Sequence, residues 1–182
     1  MSARLFFAGV GVLALLAGTA LWVGTRSIEP PGATVPADAN PAALYTASFS
    51  DLQGQSRALG QFQGKVVVLN FWATWCAPCR EEMPGFVKLQ ERWKDRNVQF
   101  VGIANDEREK VRRFGDELRI NYPLWTGGPE VMDLSRRLGN RLGVLPHTVI
   151  LDSGGRVVDS RVGVYREGPL EERLGALTAK RS

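Results

Sequence analysis

A short, largely apolar run extends from Val66 to Trp72. The run is too short for a typical helix and rich in β-branched residues, so it predicts a strand buried on both faces of a sheet. Ala73-Thr74-Trp75 ends this strand, and Cys76 follows directly. Because Pro78 suits the first turn of a helix, where its missing N–H has no cost, the pattern predicts a helix that begins beside Cys76.

Helical and extended patterns alternate after this turn, which predicts parallel strands joined by crossover helices. The predicted elements are, in chain order, a helix after Cys79 kinked at Pro84, a strand at 98–103, a helix at 107–118, an extended segment at 120–125, a helix at 130–138, a strand at 149–152, a strand at 156–162 and a closing helix at 167–180.

A short hairpin is predicted before the central strand. Tyr45 to Phe49 and Ser56 to Leu59 have extended character, and the turn residues Asp51 to Gly54 separate them. The sequence therefore predicts one α/β domain over residues 44–182, which begins with this hairpin.

The first 28 residues form a separate predicted unit. Leu5 to Val23 carries no charge and is long enough to span a bilayer. Arg4 lies before it, which places the N-terminal end in the cytoplasm and the rest of the chain outside. A cleaved signal peptide is the competing interpretation, since Gly18-Thr19-Ala20 offers a small-x-small site. We favour an uncleaved anchor, because the run is longer than a usual signal core and does not end in Ala-x-Ala.

Residues 29–43 connect the two units. This stretch contains Pro30, Pro31, Pro36 and Pro41 among small and acidic residues, a composition typical of an extended tether. Its predicted role is to hold the domain away from a membrane surface.

Composition and charge narrow the functional classes. With 44% hydrophobic residues the chain can bury a core, and its net charge of +4 is mild and scattered, which speaks against nucleic acid as a partner. The two cysteines and the single histidine, His147, cannot fill a structural four-ligand zinc site, so we expect neither metal nor cofactor. Export fits the cysteine use, because compartments outside the cytoplasm permit disulfides.

The spacing of the cysteines suggests thiol–disulfide exchange. A helix N-terminus stabilises negative charge, so we expect a lowered pKa for the Cys76 thiol and nucleophilic attack by its thiolate. Cys79 lies on the same predicted helix face, close enough to resolve a mixed disulfide formed at Cys76. A structural bridge without turnover is the alternative.

One segment resembles the active site of the thioredoxin superfamily, namely Phe71-Trp72-Ala73-Thr74-Trp75-Cys76-Ala77-Pro78-Cys79. Its sequence is similar to that of the TlpA-like and ResA-like branch. The resemblance covers about residues 44 to 180. It implies a thioredoxin-like α/β fold, with a central mixed sheet flanked by helices and an added N-terminal hairpin. It also implies a membrane-anchored bacterial thiol–disulfide oxidoreductase that faces the periplasm or the cell exterior.

The resemblance further implies partners for the domain. These are protein disulfides, in exported proteins or in apocytochrome c, and a membrane thiol donor that returns electrons; the domain itself is expected to be a monomer. Trp75 and Pro78 would flank the site and contact partner chains.

Pro146 resembles the cis-proline of this family, which packs beside the disulfide. There the backbone of the preceding residue, here Leu145, pairs with the substrate strand. His147 follows directly, and two interpretations stay open: a packed or surface histidine, or a titrating group near Cys76 that adjusts thiolate stability.

The sequence departs from plain thioredoxins at Asn70, where those proteins carry a buried acid. Asparagine cannot accept a proton, so a base for Cys79 must come from elsewhere or from water. No acid lies between the cysteines or in residues 144–149. Glu81 and Glu82, near the helix start, are expected to be solvated, and a catalytic role for either is the alternative.

Two rival functions remain. Peroxidases of the peroxiredoxin family share the fold, but they need Pro-x-x-x-Thr/Ser-x-x-Cys, and the corresponding positions here are Leu69 and Ala73. The other rival is a non-catalytic binding module that uses the groove of the fold.

Overall fold

A computed structural model describes residues 40–179 of the chain. The predicted anchor at Leu5 to Val23 and the predicted tether before residue 40 lie outside the described residues. No helix within the described range is both long and apolar enough to cross a membrane.

Seven strands of the described region form one sheet in the order β2-β1-β5-β4-β3-β6-β7. The strands are β1 (Ser48–Asp51), β2 (Ser56–Ala58), β3 (Val66–Trp72), β4 (Val98–Ala104), β5 (Leu124–Thr126), β6 (His147–Leu151) and β7 (Val157–Val162). The α-helices are α1 (Pro41–Tyr45), α2 (Ala77–Trp93), α3 (Arg108–Glu117), α4 (Pro129–Arg137) and α5 (Glu167–Ala179).

The sheet is mixed, and β3 lies near its middle. Strand β4 runs parallel to both β3 and β5, whereas β3–β6, β6–β7, β1–β5 and β1–β2 are antiparallel. Every residue of β3 is buried, as expected for a strand covered on both faces. The predicted thioredoxin-like α/β architecture, a mixed sheet with flanking helices, is therefore confirmed.

Successive residues of β3 point to opposite faces of the sheet and so belong to two separate cores. The α2 face is the face covered by α2, α3 and α5, and it receives Val66, Val68 and Trp72. The α4 face is covered by α1 and α4, and it receives Val67, Leu69 and Phe71. The two faces separate the residues of the site into two environments.

Several element bounds differ from those that the sequence predicts. Strand β1 begins at Ser48 rather than at Tyr45, because the Asn40 side chain accepts a hydrogen bond from the Ala42 N–H and caps the short helix α1. That helix begins at Pro41, inside the predicted tether. Strand β5 is shorter than predicted, and β6 begins at His147 rather than at residue 149. Helix α2 is continuous through Pro84, and the kink that this proline predicts stays a prediction.

Candidate active site

The two cysteines lie where β3 gives way to α2, and they form a disulfide with a Cα–Cα distance of 5.3 Å. Cys76 is the N-cap of α2, and its Sγ accepts a hydrogen bond from the Cys79 N–H at 3.3 Å. Cys76 keeps 5% of its surface exposed, whereas Cys79 is fully buried. The helix terminus favours negative charge on a sulfur at this position, and this sulfur belongs to the more exposed of the two cysteines.

Exposed residues surround the reachable sulfur. Trp75 is 70% exposed, which is unusual for so large an apolar side chain, and Ala77 and Pro78 are exposed as well. The guanidinium of Arg80 lies over the Phe114 ring, 5.4 Å from its centroid. An exposed tryptophan beside a redox disulfide offers contact area to a partner.

Asp106, just after the end of β4, fixes the turn that leads to Cys76. One carboxylate oxygen accepts from both the N–H of Thr74, at 3.0 Å, and the Thr74 hydroxyl, at 2.5 Å. The other oxygen accepts from the Glu107 N–H. Burial alone would raise the pKa of Asp106, but the hydrogen bonds from Thr74 and Glu107 outweigh it, and the pKa is lowered.

Pro146 lies at the same end of the central strands as the cysteines. The antiparallel register pairs Phe71 with His147, so the start of β6 meets the end of β3. The Leu145–Pro146 bond is cis, as the resemblance implies, and the Pro146 carbonyl accepts from the Gly163 N–H at 2.8 Å. The backbone of Leu145 makes no hydrogen bond within the described residues, so it is free to pair with an added strand.

His147 is buried on the α4 face, whereas both cysteines belong to the core of the α2 face. Its ring stacks on Phe71 with a centroid distance of 5.4 Å, and burial lowers its pKa to about 4. A neutral ring on the other side of the sheet cannot stabilise the Cys76 thiolate electrostatically. The geometry therefore fits a packed histidine and does not place a titrating group beside Cys76.

Glu82 is a buried acid, and this burial favours the catalytic alternative over a solvated side chain. The expectation that it is solvated is wrong: the side chain is only 4% exposed, while its neighbour Glu81 is exposed. Its Oε1 accepts from Asn70 Nδ2 at 2.7 Å, and its Oε2 accepts from the Tyr165 N–H at 2.8 Å. The burial raises the pKa of Glu82 to about 7, although both hydrogen bonds act in the opposite direction.

The position of Glu82 links this acid to the cysteines. Glu82 follows Cys79 by three residues, so both lie on the buried face of α2. A cleft of about 410 Å³ between α2 and the segment that leads into α5 is lined by Glu82 among other residues. Glu82 is thus a buried residue, one helical turn beyond Cys79, that also lines a cleft.

The described residues contain no group of three or more His, Cys, Asp or Glu side chains that could hold a metal ion. The arrangement instead brings together an exchangeable disulfide, a buried acid with a pKa near neutrality and an unpaired backbone segment. This set is suited to the transfer of electrons and protons between sulfurs.

We predict that Asp106→Ala destabilises the fold by about 2 kcal/mol, because it removes charge-assisted hydrogen bonds to Thr74. Urea unfolding of the oxidised protein at pH 7 measures the loss. The matched control is Glu107→Ala, since the exposed Glu107 side chain contacts only Lys110 and its removal should cost less than about 0.5 kcal/mol. Equal losses in the two variants would contradict the role of Asp106.

We predict that Glu82→Gln changes the pH dependence of stability. Between the ordinary pKa of 4.5 and the folded-state pKa of about 7, the folded protein keeps a proton that the unfolded chain releases. Stability is therefore fully present below pH 4.5 and is lost as the pH rises through 7, by about 3 kcal/mol relative to the glutamine variant.

Unfolding by urea at a series of pH values from 4 to 8 measures this difference. Glu81→Gln, an equal change at the exposed neighbour, serves as the control and should stay within about 0.5 kcal/mol of the wild type throughout. A difference between wild type and Glu82→Gln that is the same at pH 5 and pH 8 would refute the raised pKa.

Comparison with known proteins supports this geometry. The sequence pattern of the AhpC/TSA family matches residues 38–160. Thiol-disulfide oxidoreductase ResA of Halalkalibacterium halodurans is 34% identical over 127 residues, which are 68% of this chain and 69% of that protein. Thioredoxin-like protein YneN of Bacillus subtilis is 35% identical over 133 residues, which are 70% of this chain and 74% of that protein.

A solved structure with a similar fold is also a thiol–disulfide exchange protein by its name. A thiol:disulfide interchange protein of the thioredoxin family from Chlorobium tepidum superposes with a TM-score of 0.65 at 28% identity, and the match covers 72% of this chain and 92% of that chain. The shared pattern, the shared fold and the Cys76–Cys79 pair agree with one another. This chain therefore belongs to the AhpC/TSA family and, within it, to the thioredoxin-like thiol–disulfide oxidoreductases.

Proposed function

We propose that the protein is a reductant that acts outside the cytoplasm on disulfides of exported proteins or of apocytochrome c. The observation that carries this proposal is the placement of Cys76 at the start of α2 with the fully buried Cys79 one turn behind it. The names of the relatives support thiol–disulfide exchange as the reaction. The client and the direction of electron flow are our inference.

The reaction proceeds in two exchanges. In the reduced protein the Cys76 thiolate attacks one sulfur of the substrate disulfide, so a mixed disulfide forms and the other substrate sulfur leaves as a thiolate. The deprotonated Cys79 then attacks the Cys76 sulfur, which restores the Cys76–Cys79 disulfide and releases the second substrate thiol. Two electrons pass from the dithiol to the substrate, and two protons accompany them to the substrate thiols.

Glu82 is the group that we assign to the proton of Cys79. The thiol of Cys79 is buried and must lose its proton before it attacks, and Asn70, on the central strand, cannot take one. A carboxyl group with a pKa of about 7 can accept this proton at neutral pH. It can then pass the proton to the cleft that it borders. Glu82 thus supplies the base that the sequence alone left unassigned.

The reducing direction follows from how little stabilises the Cys76 thiolate. Ala77 and Pro78 contribute neither a donor nor a charge, and His147 lies on the opposite face of the sheet. The helix terminus and the Cys79 N–H remain. Because strong oxidants owe their potential to a highly stabilised thiolate, this site favours a reductant.

The substrate groove that we propose is formed by the exposed Trp75 and Pro78 on one side and by Leu145 and Pro146 on the other. The free backbone of Leu145 supports pairing with an extended substrate segment. We further propose that the domain works as a monomer held at the bacterial cytoplasmic membrane by Leu5 to Val23, where a membrane thiol donor regenerates the dithiol by exchange.

A peroxidase function receives no support from the site. The residue three positions before Cys76 is Ala73, which offers no hydroxyl group. The hydroxyl of the neighbouring Thr74 donates to Asp106. A purely binding function leaves the disulfide and the buried acid without a role.

We predict a midpoint potential near −270 mV at pH 7, about that of thioredoxin. Equilibration with dithiothreitol and glutathione buffers measures it. Pro78→His should move the potential upward, because a protonated or donating imidazole beside Cys76 stabilises the thiolate. A wild-type midpoint above about −180 mV, the range of disulfide isomerases, would overturn the reducing assignment.

We predict that the catalytic domain lies outside the cytoplasm. A reporter enzyme that is active only outside the cytoplasm should work when it is fused after Ser182, and the fusion should sediment with membranes. The control fusion lacks residues 1–28 and should be inactive. Recovery of a soluble protein that has lost residues 1–20 would instead support cleavage of a signal peptide.

A further inference from the structure

Four polar side chains are buried on the α4 face, beneath the loop that leads to Pro146. None is more than 3% exposed. Hydrogen bonds of 2.9 Å join neighbours in the order Asn140, Ser135, His147, Ser160. We call these four residues the buried polar chain. The exchange reaction at the cysteines uses none of them, so their burial needs a separate explanation.

Donor and acceptor roles give the buried polar chain one direction. Ser160 Oγ donates its hydrogen to the Leu138 carbonyl at 2.8 Å, so it can only accept from His147. The ring proton is therefore on Nε2, and Nδ1 accepts from the Ser135 hydroxyl. Ser135 Oγ in turn accepts from the amide of Asn140. Together these bonds fit a neutral histidine that carries its proton on Nε2, and they do not fit the tautomer that carries it on Nδ1.

Asn140 connects the buried polar chain to the loop. Its Nδ2 donates to the Val144 carbonyl at 2.7 Å, and its Oδ1 accepts from the Val144 N–H at 3.2 Å. The side-chain amide thus bonds both backbone groups of Val144, as a neighbouring strand would. The next residue, Leu145, has no backbone hydrogen bond within the described residues. Hydrogen bonds therefore fix the loop as far as Val144, whereas the backbone of Leu145 is unpaired within the described residues.

We propose that His147 is a positioning residue for protein substrates. Acting through Ser135 and Asn140, it holds the loop so that the N–H and C=O of Leu145 face an incoming extended peptide. This inference rests on the proposed function, because it takes the peptide around the substrate disulfide as the strand that pairs with Leu145. A small disulfide has no such peptide, so its reaction depends on Cys76 alone.

The test separates binding of a protein from reactivity of the sulfur. Ser135→Ala disconnects His147 from Asn140 and from the loop. With insulin as the protein disulfide and the full chain as the enzyme, we expect KM to rise about tenfold while kcat is unchanged, from the loss of one buried hydrogen bond. The rate at which the reduced protein reacts with dithiobis(nitrobenzoate), a small disulfide, should stay within about twofold of the wild type.

Ser160→Ala is the matched control. It is the same substitution in the same buried polar chain, but it leaves the links from His147 through Ser135 to Asn140 intact. We expect a similar loss of folding stability in both variants, yet KM for insulin should rise less than about twofold in Ser160→Ala. Equal KM values in the two variants, or a wild-type KM in Ser135→Ala, would show that the chain only stabilises the fold.

Amide hydrogen exchange provides a second measurement, which is made on the wild type and needs no variant. In the wild-type full chain the Val144 N–H, bonded to Asn140 Oδ1, should exchange much more slowly than in a free peptide. Exchange at the free-peptide rate would overturn the proposal directly. If the wild type reacts with the small disulfide but does not reduce insulin, the proposed function fails, and the exchange result still decides whether the loop is held.

Discussion

The site depends on one interaction, the capping of α2 by the sulfur of Cys76. In the disulfide form the Cys79 N–H donates to this sulfur, and a helix terminus with such a donor stabilises negative charge at this position. The surrounding structure fixes where this sulfur lies. The buried strand β3 ends just before the turn that leads to Cys76. In the turn, Asp106 accepts a hydrogen bond from the Thr74 N–H and fixes its position.

A second constraint is the buried acid beside the cysteines. The strand position that carries an acid in plain thioredoxins is Asn70 here, and its amide donates to Glu82 on the helix. The pair places a carboxyl group where burial brings its pKa to about 7. Burial of this carboxyl group costs folding stability above neutral pH, a cost typical of sites that move protons. In this chain the buried acid is on the helix, and the strand carries an amide that bonds to it.

The roles that we propose fall on opposite faces of the sheet, with electron transfer on one face and substrate positioning on the other. The α2 face holds the cysteines and Glu82, which concern the sulfur chemistry. His147 is on the α4 face and bonds to Ser135 on α4, the helix before the loop that leads to Pro146, and to Ser160 on β7. Substitutions on the two faces are therefore expected to affect different steps.

The central strand and the redox turn could be predicted from the sequence because their signals are local. The apolar run of β3 and the Cys-x-x-Cys spacing each lie within a few neighbouring residues, and the resemblance identified Pro146. The burial of Glu82 could not be predicted, because carboxylates are rarely buried without partners. Its partners, Asn70 and the Tyr165 N–H, are 12 and 83 residues away in the chain.

His147 illustrates the same limit. Its position after Pro146 left open whether it is a packed histidine or a titrating group near Cys76. The alternation of side chains along β6 directs it to the other face of the sheet, which fits the packed histidine. The register that decides this face is a property of the pairing between β3 and β6, not of the local pattern.

The central claim is that Cys76 attacks and Cys79 resolves, and trapping of the intermediate tests it most directly. Cys79→Ser should accumulate a mixed disulfide between Cys76 and a substrate protein, since no second thiol can release it. Cys76→Ser, which leaves only the buried thiol, should accumulate none. Mass spectrometry of the non-reduced adducts identifies the linked cysteine. Adducts through Cys79 in the Cys76→Ser variant, or their absence from Cys79→Ser, would contradict the account.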